Sequence, residues 1–136
     1  LALKATVHTN NRSIAADDFF TGMFETALEE DEIIESISFS KPTNANYVKF
    51  PNPASRYAMV GVFVAQFDDG VRVAVTGAGE GGVFRHQEME SALSSNYSSD
   101  SLSSLNIASD GLISDLHASA EYRANLIKEM TKRAVI

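Results

Sequence analysis

The sequence predicts an α+β fold, in which a small antiparallel sheet has helices packed on one face. Segments in which apolar and polar residues alternate dominate the first 85 positions, whereas helical spacing comes later, over 87–93 and 119–135. Strands followed by helices are typical of this class. With 136 residues, 44% of them hydrophobic, we expect one compact domain.

The amino-terminal segments predict a hairpin followed by a short helix. Alternation over 2–9, turn chemistry at Asn10-Asn11 and a short strand over 13–15 give the hairpin. We expect Asp17 or Asp18 to cap the helix. That helix would run through Phe19, Phe20 and Met23, and the acidic residues 29–32 indicate a turn rather than a binding site.

The middle of the chain predicts strands in succession, and its firmest element is a hairpin. A strand over 33–39 is followed by one over 46–50, which the prolines at 51 and 53 end because proline donates no N–H. Segments 57–67 and 71–77 are rich in Val and Ala, and Asp68-Asp69-Gly70 between them is a strong hairpin signal.

Two helices and a loop are predicted for the rest. Residues 87–93 are helical in pattern, and the serine-rich stretch 94–104 indicates a surface loop. The last helix, 119–135, should place one largely apolar face on the core. Its predicted members are Tyr122, Leu126, Met130 and Arg133.

Composition excludes several classes of function. The formal net charge is −7, from 11 Lys and Arg against 18 Asp and Glu, so unspecific nucleic-acid binding is disfavoured. The absence of cysteine excludes disulfides, thiolate metal ligands and iron–sulfur clusters in this chain, and fits a cytoplasmic location. The longest apolar stretch, 57–67, is too short for a membrane span.

Local motifs give little support to catalysis. The glycine-rich run 76–82 precedes another apparent strand at 83–85 rather than a helix, so a tight strand connection is favoured over a phosphate loop. His8, His86 and His117 lack metal-ligand spacing. The sequence also lacks a Gly-x-Ser-x-Gly nucleophile signature.

Lys49 and Arg56 flank the proline-rich loop, where a cation can face an anion or the polar edge of a ring. A solvated surface pair is the plainer interpretation, because most exposed cations bind nothing specific. For Tyr122 and Arg123 in the last helix, the corresponding plain interpretation is ring packing and a local pairing of the arginine.

Several segments, in order, resemble the FAD-binding medium subunit of the molybdenum hydroxylases, the family of carbon monoxide and xanthine dehydrogenases. They are LALKATVHT, IAADDFFTGMFETALEEDEIIESISF, KFPNPASRYAMVGVFVA, VRVAVTGAG and HASAEYRANLIKEMTKRAV. The resemblance implies a carbon monoxide dehydrogenase flavoprotein carboxyl-terminal-domain-like sandwich. It implies that 1–16 is the tail of the FAD-binding domain and 17–136 the carboxyl-terminal domain that packs over the flavin.

The resemblance also implies roles for two residues. Ile34 matches an aliphatic residue near the isoalloxazine ring of FAD, and Lys49 matches a lysine at the ring's polar edge, with the loop around Arg56 as a gate to the acceptor. In that family, electrons pass from a molybdenum cofactor through two iron–sulfur clusters to FAD and then to an external acceptor. The implied partners are the amino-terminal FAD-binding domain, the iron–sulfur subunit and the molybdopterin subunit.

Because the family's pyrophosphate-gripping loops lie in the amino-terminal domain, we expect FAD in the full subunit and none in this chain alone. The chain begins without an initiator Met inside an apparent strand, which suggests a piece of a longer protein. Two other interpretations stay open: a free-standing interaction or scaffolding domain without a redox role, and, with least support, an independent enzyme such as a hydrolase.

Overall fold

The computed structural model describes residues 1–135 and has the predicted α+β architecture. The strands are β1 (Thr6–Thr9), β2 (Ser13–Ala15), β3 (Phe20–Gly22), β4 (Glu25–Thr26), β5 (Ile34–Ser38), β6 (Asn44–Pro51), β7 (Ala58–Phe67), β8 (Gly70–Gly79) and β9 (Gly82–Arg85). The helices are α1 (Ala16–Phe19), α2 (Gln87–Ser95) and α3 (Ala120–Ala134), with a 3₁₀ turn at Ser99–Leu102.

The largest sheet is antiparallel and has the strand order β6-β7-β8-β9. The predicted central hairpin is confirmed as β7 and β8, joined at Asp68-Asp69, with Val62 opposite Val75. Gly70 follows the turn with φ 139°, a conformation that glycine adopts without steric cost. Pro51 ends β6, which is an edge strand, so its missing N–H interrupts no ladder.

One face of this sheet is buried beneath α2 and α3. Every second residue of β7 and β8 points to that face, which places the strand valines against the apolar sides of the two helices. Residues with no exposed surface here are Val60, Val62, Val64, Val73, Val75, Met89 and Ile127. This layer is the main core.

The last helix is confirmed, but its buried face was predicted wrongly at two positions. Ser119 caps it, accepting a hydrogen bond from the Tyr122 amide. Leu126 and Met130 are buried as expected, whereas Tyr122 is 44% exposed and Arg133 is exposed. The buried stripe is therefore rotated by about one residue from the predicted one.

Arg123 occupies a place in that stripe. Only 4% exposed, it donates hydrogen bonds to the carbonyls of Met59 (2.7 Å) and Gly77 (3.1 Å) and to Asp115 (2.8 Å). Gly77 has φ 78°, where the β7–β8 register ends, so its carbonyl is free to accept from the helix. The charged side chain tolerates burial because these oxygens accept from its two terminal nitrogens, although its Nε atom has no partner among the described residues.

The predicted helix after Asp17 is confirmed only in part. α1 ends at Phe19, and Phe20 begins β3, which pairs with β4 instead of continuing the helix. Neither Asp17 nor Asp18 caps α1, because the residue before it is Ala15. Asp17 instead binds arginines of the large sheet.

The serine-rich stretch is more ordered than predicted. α2 extends to Ser95, and the 3₁₀ turn buries Leu102 completely in the main core. The Lys128 ammonium, from α3, donates to the carbonyls of Ser103 and Leu105, both at 2.7 Å. One apolar side chain and one lysine from a distant helix therefore hold a segment whose composition indicated a loop.

β1 and β2 form the predicted hairpin and pair with β5 in a three-stranded sheet of order β2-β1-β5. β1 starts at Thr6, whereas the alternation predicted a strand from Ala2. Because β1 and β2 lie within 1–16 and β5 within 17–136, the expected domain boundary runs through one sheet. The boundary itself stays a prediction.

The acidic turn 29–32 stabilises this small sheet through the side chain of Glu32. The Glu32 side chain is buried and accepts from the Arg12 guanidinium at 2.8 Å, from the Thr9 hydroxyl at 2.9 Å and from the Glu29 amide at 2.8 Å. These donors, Arg12 first, lower the pKa of Glu32 from 4.5 to about 2.

The small sheet and the large sheet are joined by ion pairs and by an apolar contact. Lys4 binds Asp69 at 2.6 Å, and Asp17 binds both Arg72 (3.0 Å) and Arg85 (3.4 Å). Beside them, Ala2 is buried against residues of β7 and β8, namely Ala65 and Ala74. Within residues 1–135, no helix has the length and apolar character needed to cross a membrane.

Candidate functional site

The face of the large sheet opposite the helices, here called the open face, is the main candidate surface. Tyr47, Lys49, Phe63 and Thr76 project from it, since they alternate with the residues of the core. The rings of Tyr47 and Phe63 pack at a centroid distance of 6.4 Å, and Tyr47 is 46% exposed. No helix within residues 1–135 covers this aromatic surface.

A groove of about 360 Å³ runs between the open face and the amino-terminal half of the chain. Its walls are almost entirely apolar, with the Tyr47 and Thr76 hydroxyl groups as exceptions. The lining includes Leu1, Leu3, Phe20, Ile37, Phe39, Tyr47 and Phe63. Of these, Ile37 is 57% and Phe39 is 61% exposed. Apolar side chains left open in this way mark surfaces that contact a ligand or another part of a protein.

Gly61 lets Tyr47 lie across the open face. A β-carbon at position 61 would stand 2.5 Å from the Tyr47 hydroxyl oxygen and 2.9 Å from the Thr76 methyl carbon. Gly61 is paired with Lys49 on one side and with Thr76 on the other. The Tyr47 hydroxyl therefore reaches the row of the sheet that contains Lys49.

The structure places the two predicted site residues on different sheets. Lys49 lies in β6, on the open face, and its ammonium donates to the Arg56 carbonyl at 3.0 Å. Ile34 begins β5, opposite Thr9, and is 41% exposed. Neither residue lines the groove. Their role beside a cofactor stays a prediction.

The glycine-rich run 76–82 is a strand connection, as predicted. Its first residues continue β8, Gly79 pairs with Gly82, and β9 follows directly. Gly82 has φ 98° and lies close to the backbone of Gly22, so the turn packs on the β3–β4 hairpin. No helix begins there, and the backbone amides form no anion cradle.

The three histidines lie in separate places. His8 lies between the hydroxyls of Ser13 and Ser38, both at 2.8 Å, and His86 precedes α2, where burial lowers its pKa. A cavity of about 570 Å³ adjoins His86, between β9 and residues 106–112. Across residues 1–135, no group of three potential metal-ligating side chains is present.

Sequence reasoning missed Tyr47, Phe63 and the Arg56 carbonyl as parts of the open face. A signal existed for Tyr47, because the alternation over 46–50 places it on the same face as Lys49. The groove gave no local signal, since its walls come from segments more than 60 residues apart in sequence. The Arg56 carbonyl depends on a backbone angle that composition does not specify.

The comparisons with known proteins concern two curated subunits and one solved structure. The chain is 33% identical over 151 residues to the nicotine 6-hydroxylase medium subunit of Paenarthrobacter nicotinovorans, covering 100% of this chain and 53% of that subunit. It is 26% identical over 138 residues to the carbon monoxide dehydrogenase medium chain of Hydrogenophaga pseudoflava, covering 91% and 47%. No family model matches the chain.

The fold is similar to that of quinoline 2-oxidoreductase from Pseudomonas putida 86, with a TM-score of 0.77 at 22% identity. That match covers 98% of this chain and 52% of the other. The chain spans about half the length of the curated relatives it matches. Both curated relatives are medium subunits, and the fold agrees with the expected one. The resemblance of this chain to the medium subunits of molybdenum hydroxylases is therefore confirmed.

Proposed function

We propose that this chain is the carboxyl-terminal part of an FAD-containing medium subunit, and that it covers the flavin. The observation that carries the proposal is the open face, an uncovered apolar surface with one ammonium group held on it. The names of the two curated relatives, a medium subunit and a medium chain, support the same proposal. Electrons would reach this flavin from a molybdenum cofactor through iron–sulfur clusters in a cytoplasmic enzyme, and leave to an external acceptor.

Two residues of the chain suit the isoalloxazine ring. The ring is flat and largely apolar, with polar atoms along one edge, and Ile34 offers an accessible aliphatic side chain from a sheet edge. Lys49 offers a cation, which stabilises negative charge more in the reduced flavin than in the oxidised flavin. FAD would supply the electron-transfer chemistry, and these residues would orient the ring and adjust its potential.

The glycine-rich run 76–82 is poorly suited to the phosphates of FAD. The glycine-rich run 76–82 is strand and turn, so it lacks the helix-opening amides that bind a pyrophosphate. The proposal therefore gives this chain one wall of the flavin site and assigns the phosphates to another part of the subunit. The partners in the proposal are that FAD-binding part, the iron–sulfur subunit and the molybdopterin subunit.

An FAD titration tests the division of roles. Calorimetry would be run on this chain and on a subunit of the relatives' full length that contains it. We expect FAD to bind the full-length subunit only. Similar affinity in both would mean that this chain holds the pyrophosphate, and the absence of binding in both would favour a scaffolding domain without redox function.

The substitution Lys49→Ala in the full-length subunit tests the cation. We expect a lower flavin reduction potential, because the reduced anion loses a stabilising charge, measured by equilibration with a redox dye. Lys41→Ala, at an exposed lysine before β6, is the matched control and should leave the potential unchanged. If both variants behave like the wild type, Lys49 does not act on the flavin.

A further inference from the structure

The loop between β6 and β7 holds the Lys49 ammonium in one place. Lysine has a flexible four-carbon stem, and an exposed ammonium ordinarily samples many positions. Here the Lys49 backbone is fixed by its pairing with Gly61, and its ammonium donates to the carbonyl of Arg56, seven residues later. The side chain is therefore attached at one end to β6 and at the other to the loop that joins β6 to β7.

The direction of that carbonyl comes from an unusual backbone conformation. Arg56 has φ 64°, in the left-handed region, which is sterically unfavourable for a residue with a β-carbon. Among the described residues, only Lys4 and Phe24 share a positive φ without being glycine. Such a conformation persists only where its surroundings impose it.

Asn52 imposes it. Its side-chain oxygen accepts from the amides of Ala54 (2.9 Å) and Ser55 (3.2 Å), and its carbonyl accepts from the Arg56 amide at 2.9 Å. Its own amide donates to the Tyr57 carbonyl at 2.7 Å, which closes the loop. The loop is hydrogen-bonded from within, so the Arg56 carbonyl keeps its direction even though the loop is exposed.

We propose that Arg56 is a positioning residue for Lys49, acting through its left-handed backbone and its carbonyl rather than through its guanidinium. The inference deepens the proposed function, on which it rests, because a fixed ammonium keeps a constant distance from the ring it faces. Residue 56 then sets the flavin potential without touching the flavin. The Arg56 side chain can therefore be replaced without moving the Lys49 ammonium, whereas the left-handed backbone conformation at position 56 is required.

Two substitutions separate backbone from side chain. Arg56→Gly removes the guanidinium but favours the left-handed conformation, whereas Arg56→Val opposes that conformation because β-branched residues rarely adopt it. Ala54→Val is the matched control, since Ala54 lies in the same loop, is exposed and has no positive φ. Thermal unfolding of each variant would show that the fold is retained.

In the FAD-loaded full-length subunit, we expect Arg56→Val to lower the flavin potential by an amount comparable to Lys49→Ala. Arg56→Gly and Ala54→Val should match the wild type. The double variant of Lys49→Ala with Arg56→Val should show no further shift, because both changes act through one ammonium. A wild-type potential in Arg56→Val, alongside a lowered one in Lys49→Ala, would overturn the inference, as would equal shifts in Arg56→Gly and Arg56→Val.

A second measurement does not depend on bound FAD. Nitrogen-15 relaxation of the Lys49 ammonium in the FAD-free subunit reports its mobility. We expect a rigid group in the wild type and in Arg56→Gly, and a mobile one in Arg56→Val. Equal mobility in all three rejects the positioning role. If Lys49→Ala leaves the potential unchanged while the mobility follows the expected pattern, the positioning stands and the proposed action of Lys49 on the flavin fails.

Discussion

The two faces of the large sheet differ in what covers them. On the helix side, five strand valines have no exposed surface, namely Val60, Val62, Val64, Val73 and Val75. Two helices and the 3₁₀ turn complete the layer. On the open face, Tyr47 is 46% exposed and Lys49 is exposed, although the same three strands supply both faces.

The two faces of the sheet therefore have different roles. Burial of apolar area stabilises the fold, and the helix side accounts for most of it. The open face contributes less to stability and retains surface for contact with something else. Substitutions on the two sides should therefore differ in what they change, which the following expectations make measurable.

Two isoleucines test this contrast most strongly. Ile127 is fully buried on α3, so Ile127→Ala should destabilise the protein by about 2–5 kcal/mol through lost burial and a cavity. Ile37 lies in β5 of the small sheet, lines the groove opposite the open face and is 57% exposed, so Ile37→Ala should cost less than about 1 kcal/mol. Urea unfolding followed by circular dichroism measures both, and equal losses would contradict the assignment of stability to the helix side.

Two glycines test the same contrast in stability through the backbone of the large sheet. Gly77→Ala should cost about 2–4 kcal/mol, because φ is 78° and the new β-carbon would overlap the Ala58 carbonyl. Gly61→Ala should cost less than Gly77→Ala, because its β-carbon meets the ends of two side chains, the Tyr47 hydroxyl and the Thr76 methyl group, instead of a backbone carbonyl. Unfolding midpoints decide between them, and a large loss at Gly61 would mean that the open face is rigidly packed.

The smallest expected change in stability concerns Glu32 in the small sheet, and it depends on pH. The folded state lowers the pKa of Glu32 from 4.5 to about 2, so the unfolded state binds more protons between these values and stability rises with pH. The contribution of Glu32 is present above about pH 4.5 and is lost as the pH falls toward 2. Glu32→Gln should therefore be less stable than the wild type at pH 5, with a smaller difference at pH 3.

The exposed carboxylate two residues into β5 provides the control for that experiment. Glu35→Gln changes the same functional group on a neighbouring strand position that is open to solvent. It should follow the wild-type pH dependence when thermal unfolding is measured at both pH values. A parallel loss in the two variants would mean that general surface charge, rather than the Arg12 contact, stabilises this turn.

Sequence patterns predicted those parts of the fold that depend on neighbouring residues. Asp68-Asp69-Gly70 determines the central turn locally, and Ser119 caps the last helix by binding an amide three residues later. By contrast, the burial of Arg123 depends on carbonyls of Met59 and Gly77, at least 46 residues away. Long-range partners of this kind leave no mark in a short window of sequence.

The candidate site divides in the same way. Ile34 and Lys49 came from resemblance to a family, and the structure gives them exposed positions without testing their role. The alternation of β6 was enough to place Tyr47 beside Lys49, but the partner of the Lys49 ammonium required a backbone dihedral angle at Arg56. An arginine gives no sequence signal for a positive φ, because residues with a β-carbon rarely adopt one.

The junction between the two sheets should respond to dissolved salt in two opposing ways. The ion pairs from Lys4 to Asp69 and from Asp17 to Arg72 are partly exposed, so sodium chloride screens them. The contact of Ala2 with Ala65 is apolar, and sulfate strengthens such contacts because it is excluded from protein surfaces. We therefore expect the groove to widen in concentrated chloride and to keep its width in concentrated sulfate.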